Sequence, residues 1–248
     1  MGYRHLPTET GPTEGRIAGD AHSLGELMLL RLRADILSTD LAPGAKLALH
    51  HLAKLYGIGI TPLRDALGQL AGDGLVVMES QKGFRVAPVS LEDLRDICDI
   101  RLKIELMALD LAFDHADDAP DSAPVADWDR RMKQAHAAFI HIKARVGEDA
   151  PITAEWEEAH RELHMTLLSA CASPTLMRIC RQIHDRIHRY RRIALPTKSY
   201  MGGISDDHVE ISKAAYRRDR ESCKALLERH IVESNRLIEE NICFAANI

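Results

Sequence analysis

The sequence has no CxxC pair, no apolar run of membrane-spanning length and no excess of positive charge. Its five cysteines, at positions 98, 171, 180, 223 and 243, are odd in number and scattered, which excludes a disulfide framework or a zinc knuckle. They read as reduced core residues of a cytoplasmic protein. With 32 basic and 37 acidic residues the formal charge is -5, which argues against a protein that coats nucleic acid indiscriminately by neutralising phosphate. The first residues, up to Ala21, are polar and rich in Gly and Thr, without a signal-peptide apolar core, and read as a loose arm over 1–21. Strand patterning is absent after Val89, and no internal repeat is visible. What remains is 248 residues of 46% hydrophobic content, enough for one large core or two modest ones, and two domains, 22–89 and 90–248, are the natural division.

The stretch from Lys46 to Val86 reads as helix, turn, helix and short hairpin. The second helix is expected to open at Thr61-Pro62, with the Thr61 hydroxyl accepting from a first-turn amide and Pro62 pre-set for the helix start. Leu63, Ala66, Leu67 and Leu70 recur at helical spacing and form its core face, which turns Thr61, Arg64 and Gly68 outward. Gly72 and Gly74 end it. The runs LVVMES and FRVAPV around Gln81-Lys82-Gly83 then form a two-stranded wing with a cationic tip, which brings Lys82 and Arg85 towards a phosphate backbone. Such an array holds one helix in a DNA groove.

These residues resemble the winged helix-turn-helix of the GntR family of transcription factors. The resemblance runs from Ile58 to Val76 and from Gly83 to Val86, and is most specific in Thr61-Pro62-Leu63-Arg64, Ala66-Leu67 and Asp73-Gly74-Leu75-Val76. It implies a dimer on a short, near-palindromic operator of double-stranded DNA. Two positions depart: Gly59-Ile60 stands where the family usually has Ser-Arg, and His50 lies near where some members carry Arg. Ile60 then either meets a thymine methyl group or packs, and Arg64 carries more of the recognition. The expected DNA contacts are His50, Ile60, Thr61, Arg64, Lys82 and Arg85.

Beyond Val89 the pattern is helical throughout, an antiparallel bundle of about six helices that makes the chain mainly α. Ser90 followed by Glu92 and Asp93 starts the first, whose apolar stripe is interrupted by Arg101 and Glu105. In the helix beginning near Ile152, His160 and His164 fall on the stripe of Trp156, Ala159, Leu163 and Leu167; His208 and His230 occupy inward faces of the last two helices. An HxxxH pair sets two nitrogens on one helix side at a separation one ion can bridge, and facing helices can close the site. A single inward histidine is usually a core residue bonded to a carbonyl, but four from three helices point to a metal. The pair His184 and His188, crowded by Arg181, Arg186, Arg189, Arg191 and Arg192, reads as a solvated basic face.

From about Ser90 to Arg236 the chain resembles the FCD effector domain of the FadR-like branch of that family. The resemblance rests on Arg101 with Glu105, on His160-Arg161-Glu162-Leu163-His164 followed by Ser173-Pro174, on His208 with Ile211 and Ala214, and on His230. It implies a divalent metal at these histidines beside a small-molecule pocket, with repression released by effector. Where the family has Asp, this chain has His160, so four neutral imidazoles leave the charge of the ion uncompensated and favour an anionic ligand. The expected effector is a small carboxylate on an open metal position, paired with Arg101 at an effector site that also includes Glu105, although Arg101 and Glu105 alternatively form only a helix ion pair. Imidazoles favour Zn, with Ni, Co or Cu as alternatives, over Mg or Ca. The reading is a metabolite-responsive, homodimeric regulator that is not an enzyme. Its rivals are a metalloenzyme acting on a small acid, with Glu105 or Glu157 as base, and a metal that serves only as a structural clamp.

Overall fold

The computed structural model describes residues 24–146, 153–194 and 201–245, and within them all side chains except those of 24, 146, 201–206 and 243–245. The expected arm over 1–21 and the Cys243 side chain lie outside them. The chain divides into two compact units, Met1–Val89 and Ser90–Ile248.

In the first unit, α1 (Leu24–Leu37) buries Met28, Leu32 and Ile36, one per turn, against α3. After it come β1 (Lys46–Leu47), α2 (Leu49–Tyr56), α3 (Ile60–Gly72), β2 (Val76–Glu79) and β3 (Gly83–Val86). The core face of α3 is Leu63, Ala66, Leu67 and Leu70, as its spacing predicts. Its start differs from expectation: Gly59 is the N-cap and makes no side-chain bond, so Thr61 already lies inside the first turn. Pro62 still fits there, because the amides of that turn have no intrahelical acceptor to lose. The end of α3 is a Schellman arrangement. The Leu75 amide bonds the Leu70 carbonyl at 3.0 Å, the Gly74 amide bonds that of Ala71 at 3.1 Å, and Gly74 takes φ +73°, which a side chain would strain. The apolar contact that accompanies this motif comes from Leu70 and Leu75, both buried.

The wing has two strands, β2 and β3, paired Val76↔Val86 through Glu79↔Gly83, but the sheet has three, in the order β1-β3-β2. The additional strand pairs Leu47 with Phe84 and Lys46 with Arg85. Two residues carry no readable alternation, so only the buried Leu47 and the tertiary pairing reveal it.

The second unit is helical: α4 (Leu91–Asp118), α5 (Ala123–Val146), α6 (Ala154–Leu168) with a 3-10 turn at Ser169–Cys171, α7 (Pro174–Ala194), α8 (Met201–Tyr216) and α9 (Arg220–Ala245). Ser90 caps α4 by accepting from the Asp93 amide at 3.1 Å, and Thr153 caps α6 by accepting from that of Trp156 at 3.1 Å. α4 packs on α6, α7 and α9, α5 on α6, and α8 on α9. The polar centre of the unit lies among these helices. None of the described helices is long and apolar enough to cross a membrane.

Candidate metal centre and nucleic-acid interface

Period 3.6 turns His160 and His164 to one side of α6, and packing of α8 and α9 brings His208 and His230 against them. All four are at most 2% exposed, and each offers a ligand nitrogen within 4.8 Å of the others'. His164 Nε2 and His208 Nε2 are 3.2 Å apart. That spacing suits an N–H···N hydrogen bond, and equally two imidazoles on one ion with bonds of about 2.0–2.1 Å. Neither nitrogen of His230, nor Nδ1 of His160, has a hydrogen-bond partner, although Asp207 Oδ2 lies 3.9 Å from His230 Nδ1. The indole of Trp156 stacks on His160 at 4.8 Å and holds that ring in place.

The carboxylate of Glu105 is fully engaged. Its Oε1 accepts from Arg101 Nε at 2.7 Å, and its Oε2 lies 3.2 Å from His164 Nδ1. A carboxylate on Nδ1 fixes the tautomer that leaves Nε2 as the ligand atom. Burial by itself would raise the Glu105 carboxyl, but the charge of Arg101 and the bond to His164 outweigh it and bring it down to about 2. Burial lowers His164 and drives His160 well below the ordinary histidine value, and it takes His230 to about 4 against the pull of Asp207. These three rings are thus neutral at pH 7, as metal ligation requires. Beside His164 and His208 lies a cavity of about 10 Å³, the space of one water, walled by four apolar side chains and by Ser212, whose buried hydroxyl has no partner.

On the first unit, His50, Thr61, Arg64 and Lys82 are exposed and Ile60 is half-buried. Arg85 is half-buried and already engaged. It donates to Glu79 Oε1 at 3.0 Å across the wing and to the Gly44 carbonyl, so its guanidinium helps hold the sheet together.

Residues 28–86 match the bacterial regulatory proteins of the gntR family, and residues 96–233 match the FCD domain. The chain belongs to the GntR family. It is 31% identical over 222 residues to the uncharacterised HTH-type transcriptional regulator BphR of Paraburkholderia xenovorans (strain LB400), covering 89% of this chain and 87% of that protein. It is 28% identical over 213 residues to the HTH-type transcriptional repressor GlaR of Escherichia coli (strain K12), covering 84% and 93%. A GntR transcriptional regulator from Rhodococcus sp. RHA1 has the same fold, with TM-score 0.69 at 19% identity over 86% of this chain and 96% of that one. The protein is therefore a DNA-binding transcriptional regulator, and neither the family nor these relatives are enzymes.

Within this GntR fold the pair read as a solvated basic face is largely internal. His184 is 1% exposed, with its ring centroid 5.5 Å from those of both His160 and His164. Arg189 and Arg191 are buried as well, and Arg191 grips Glu157 with two bonds of 2.8 Å. That engagement removes Glu157 as a base. The missed signal was positional: residue 184 stands four after Cys180 and three before Ile187, on the apolar stripe itself. Counting charges along α7 obscured it.

Proposed function

We propose that this regulator is a metabolite-responsive repressor, working in the cytoplasm as a homodimer on a near-palindromic operator. Its helical unit holds one divalent metal through His160, His164, His208 and His230, zinc first, with nickel, cobalt or copper as alternatives. The observation that carries the reading is four buried imidazoles from three helices with ligand atoms within 4.8 Å and no carboxylate among them. The donor set fits a borderline ion that prefers imidazole. Such an ion supplies positive charge and an open position for an anion. A hydrogen-bonded histidine cluster accounts for the 3.2 Å contact but leaves Nδ1 of His160 and both nitrogens of His230 idle.

The effector is a small carboxylate. Arg101 is fully buried, and its two terminal nitrogens have no partner, whereas a guanidinium fork matches a carboxylate with two parallel bonds. Glu105 orients His164 and holds Arg101 and does not touch the effector. On DNA, Thr61 and Arg64 read bases, Ile60 meets a thymine methyl or packs, and His50 and Lys82 face phosphates. Arg85 acts indirectly by bracing the wing.

Two measurements test this. Elemental analysis of protein purified without a histidine tag is expected to find about one metal per chain, lost in His164→Ala; equally negligible metal in both removes the proposal. In a gel-shift assay on the cognate operator, Arg64→Ala is expected to lose about 10- to 100-fold in affinity with the melting temperature unchanged. Complete burial of the four histidines also favours a clamp that only steadies the bundle. A metal that raises the melting temperature while no carboxylate alters DNA binding would favour that reading.

A further inference from the structure

Once the ion, the carboxylate and Arg101 are assigned, a buried imidazole beside the four histidines is still without a task. His184 on α7 is 1% exposed, and neither of its ring nitrogens has a hydrogen-bond partner. A buried polar group left without a partner loses its hydration without compensation, so a ring in this position calls for a ligand. The four-nitrogen cluster does not include it, although its centroid is 5.5 Å from those of His160 and His164. On the Nδ1 side of His164 stands Glu105, 3.2 Å away, which in turn holds Arg101 through Nε alone at 2.7 Å. α4, which carries Arg101, packs directly against α7. Arg101 is also the charge with the largest effect on His184, after burial itself, in pushing that imidazole well below its ordinary value.

Charge gives the same direction. Arg101 with Glu105 and Arg191 with Glu157 are each neutral as pairs, and the four-histidine set contains no carboxylate. A divalent ion therefore brings two uncompensated positive charges into a dry interior, which is costly unless an anion accompanies it. Buried donors without a partner are available on α4, in Arg101, and on α7, in His184.

We propose that His184 and the terminal nitrogens of Arg101 form an anion subsite beside the four-histidine centre, which takes the carboxylate group of the effector. This rests on the metal and carboxylate reading above and adds the residue that completes it. Arg101 supplies charge and a fork, and neutral His184 donates one N–H from the opposite helix. A carboxylate so held bridges α4 and α7, which gives binding a direct effect on how those two helices pack. Effectors with a carboxylate are preferred over neutral analogues of equal size, because only the anion satisfies both donors.

The test uses the full chain without a histidine tag, loaded with cobalt(II) and titrated with acetate while the visible spectrum is followed. Wild type, His184→Leu, His184→Gln and Ser212→Ala are compared. The acetate-free spectrum is expected to be the same in all four, since none replaces a ligand of the ion. His184→Leu is expected to raise the acetate dissociation constant at least tenfold, His184→Gln, which keeps an N–H donor, to recover part of the loss, and Ser212→Ala to bind as wild type does. Wild-type acetate affinity in His184→Leu overturns the subsite, as does loss confined to Ser212→Ala, which would place the anion in the cavity beside His208. A spectrum changed before acetate is added, in both His184 variants, overturns it too and makes His184 a ligand. Failure of the wild type to take up cobalt removes the metal reading alone. The same His184→Leu comparison, made by saturation-transfer NMR of acetate on the metal-free protein, then decides the subsite.

Discussion

Glu105 links two roles through two oxygen atoms: it neutralises Arg101 and fixes His164. Replacing it with Gln keeps the shape and removes the charge. Metal affinity is expected to fall by about 10- to 100-fold, because the group that orients the ligand histidine is weakened. Stability is expected to fall by about 3 kcal/mol or more, because Arg101 is left as an unpaired buried charge. Metal-exchange titration and chemical denaturation check the two effects separately. Gly68 behaves in the opposite way. It sits exposed within α3, and a Cβ there would meet nothing within 4 Å, so the fold makes no use of its missing side chain. Gly68→Ala is expected to stabilise the first unit by about 1 kcal/mol, read as a higher denaturation midpoint. The outward place of Gly68 and the helix ion pair of Arg101 with Glu105 were legible in the sequence. Helical spacing puts Arg101 and Glu105 one turn apart, but which of their atoms meet His164 depends on the packing of α4 on α6.

Among the described helices, α6, α7 and α9 carry histidines whose burial couples folding to pH. His160, His164, His184, His188 and His230 are all lowered, mainly by burial, with His188 and His230 at about 4. Between pH 4 and 6.5 the unfolded chain binds protons at these rings and the folded chain does not, so stability rises with pH across this window and is lost as pH falls. At pH 5 the contribution lost from His230 alone is about 2 kcal/mol. Metal-free protein followed by circular dichroism is therefore expected to melt progressively lower from pH 7 to pH 5. Metal-loaded protein is expected to hold its midpoint further into the acid range, since protons must first displace the ion. An acid-insensitive midpoint in the metal-free protein would contradict the buried neutral rings. The helices themselves were readable from Ser90, Thr153 and the apolar stripes, because caps and 3.6-residue periodicity are local. The inward turn of His184 was also written at that spacing. Five nearby arginines hid it, since sequence does not say which of them find partners indoors, as Arg191 does with Glu157.

At the scale of the whole molecule, a net charge of -5 restricts DNA binding to a local surface, and the exposed cations of the first unit must supply it. Lys82 at the wing tip is exposed, whereas Arg85 is engaged with Glu79 and Gly44. Lys82→Ala is expected to weaken operator and non-operator DNA alike and to reduce the salt-dependence slope by about one, measured by fluorescence anisotropy over a salt series. Arg85→Ala is expected to lower the melting temperature of the first unit as well as its DNA affinity. The sequence by itself determined the two-part plan, the reading helix with its glycine stop, the wing, and the identity of four inward histidines, because each is encoded by neighbours within a turn or two of the chain. Only the tertiary structure decided that β1 joins the sheet, that Arg85 braces instead of reaching outward, and that His184 and Arg101 point their unpartnered nitrogens into the interior beside the histidine centre. Those outcomes depend on residues separated by tens of positions, whose hydrogen bonds and burial are settled by packing and not by local pattern.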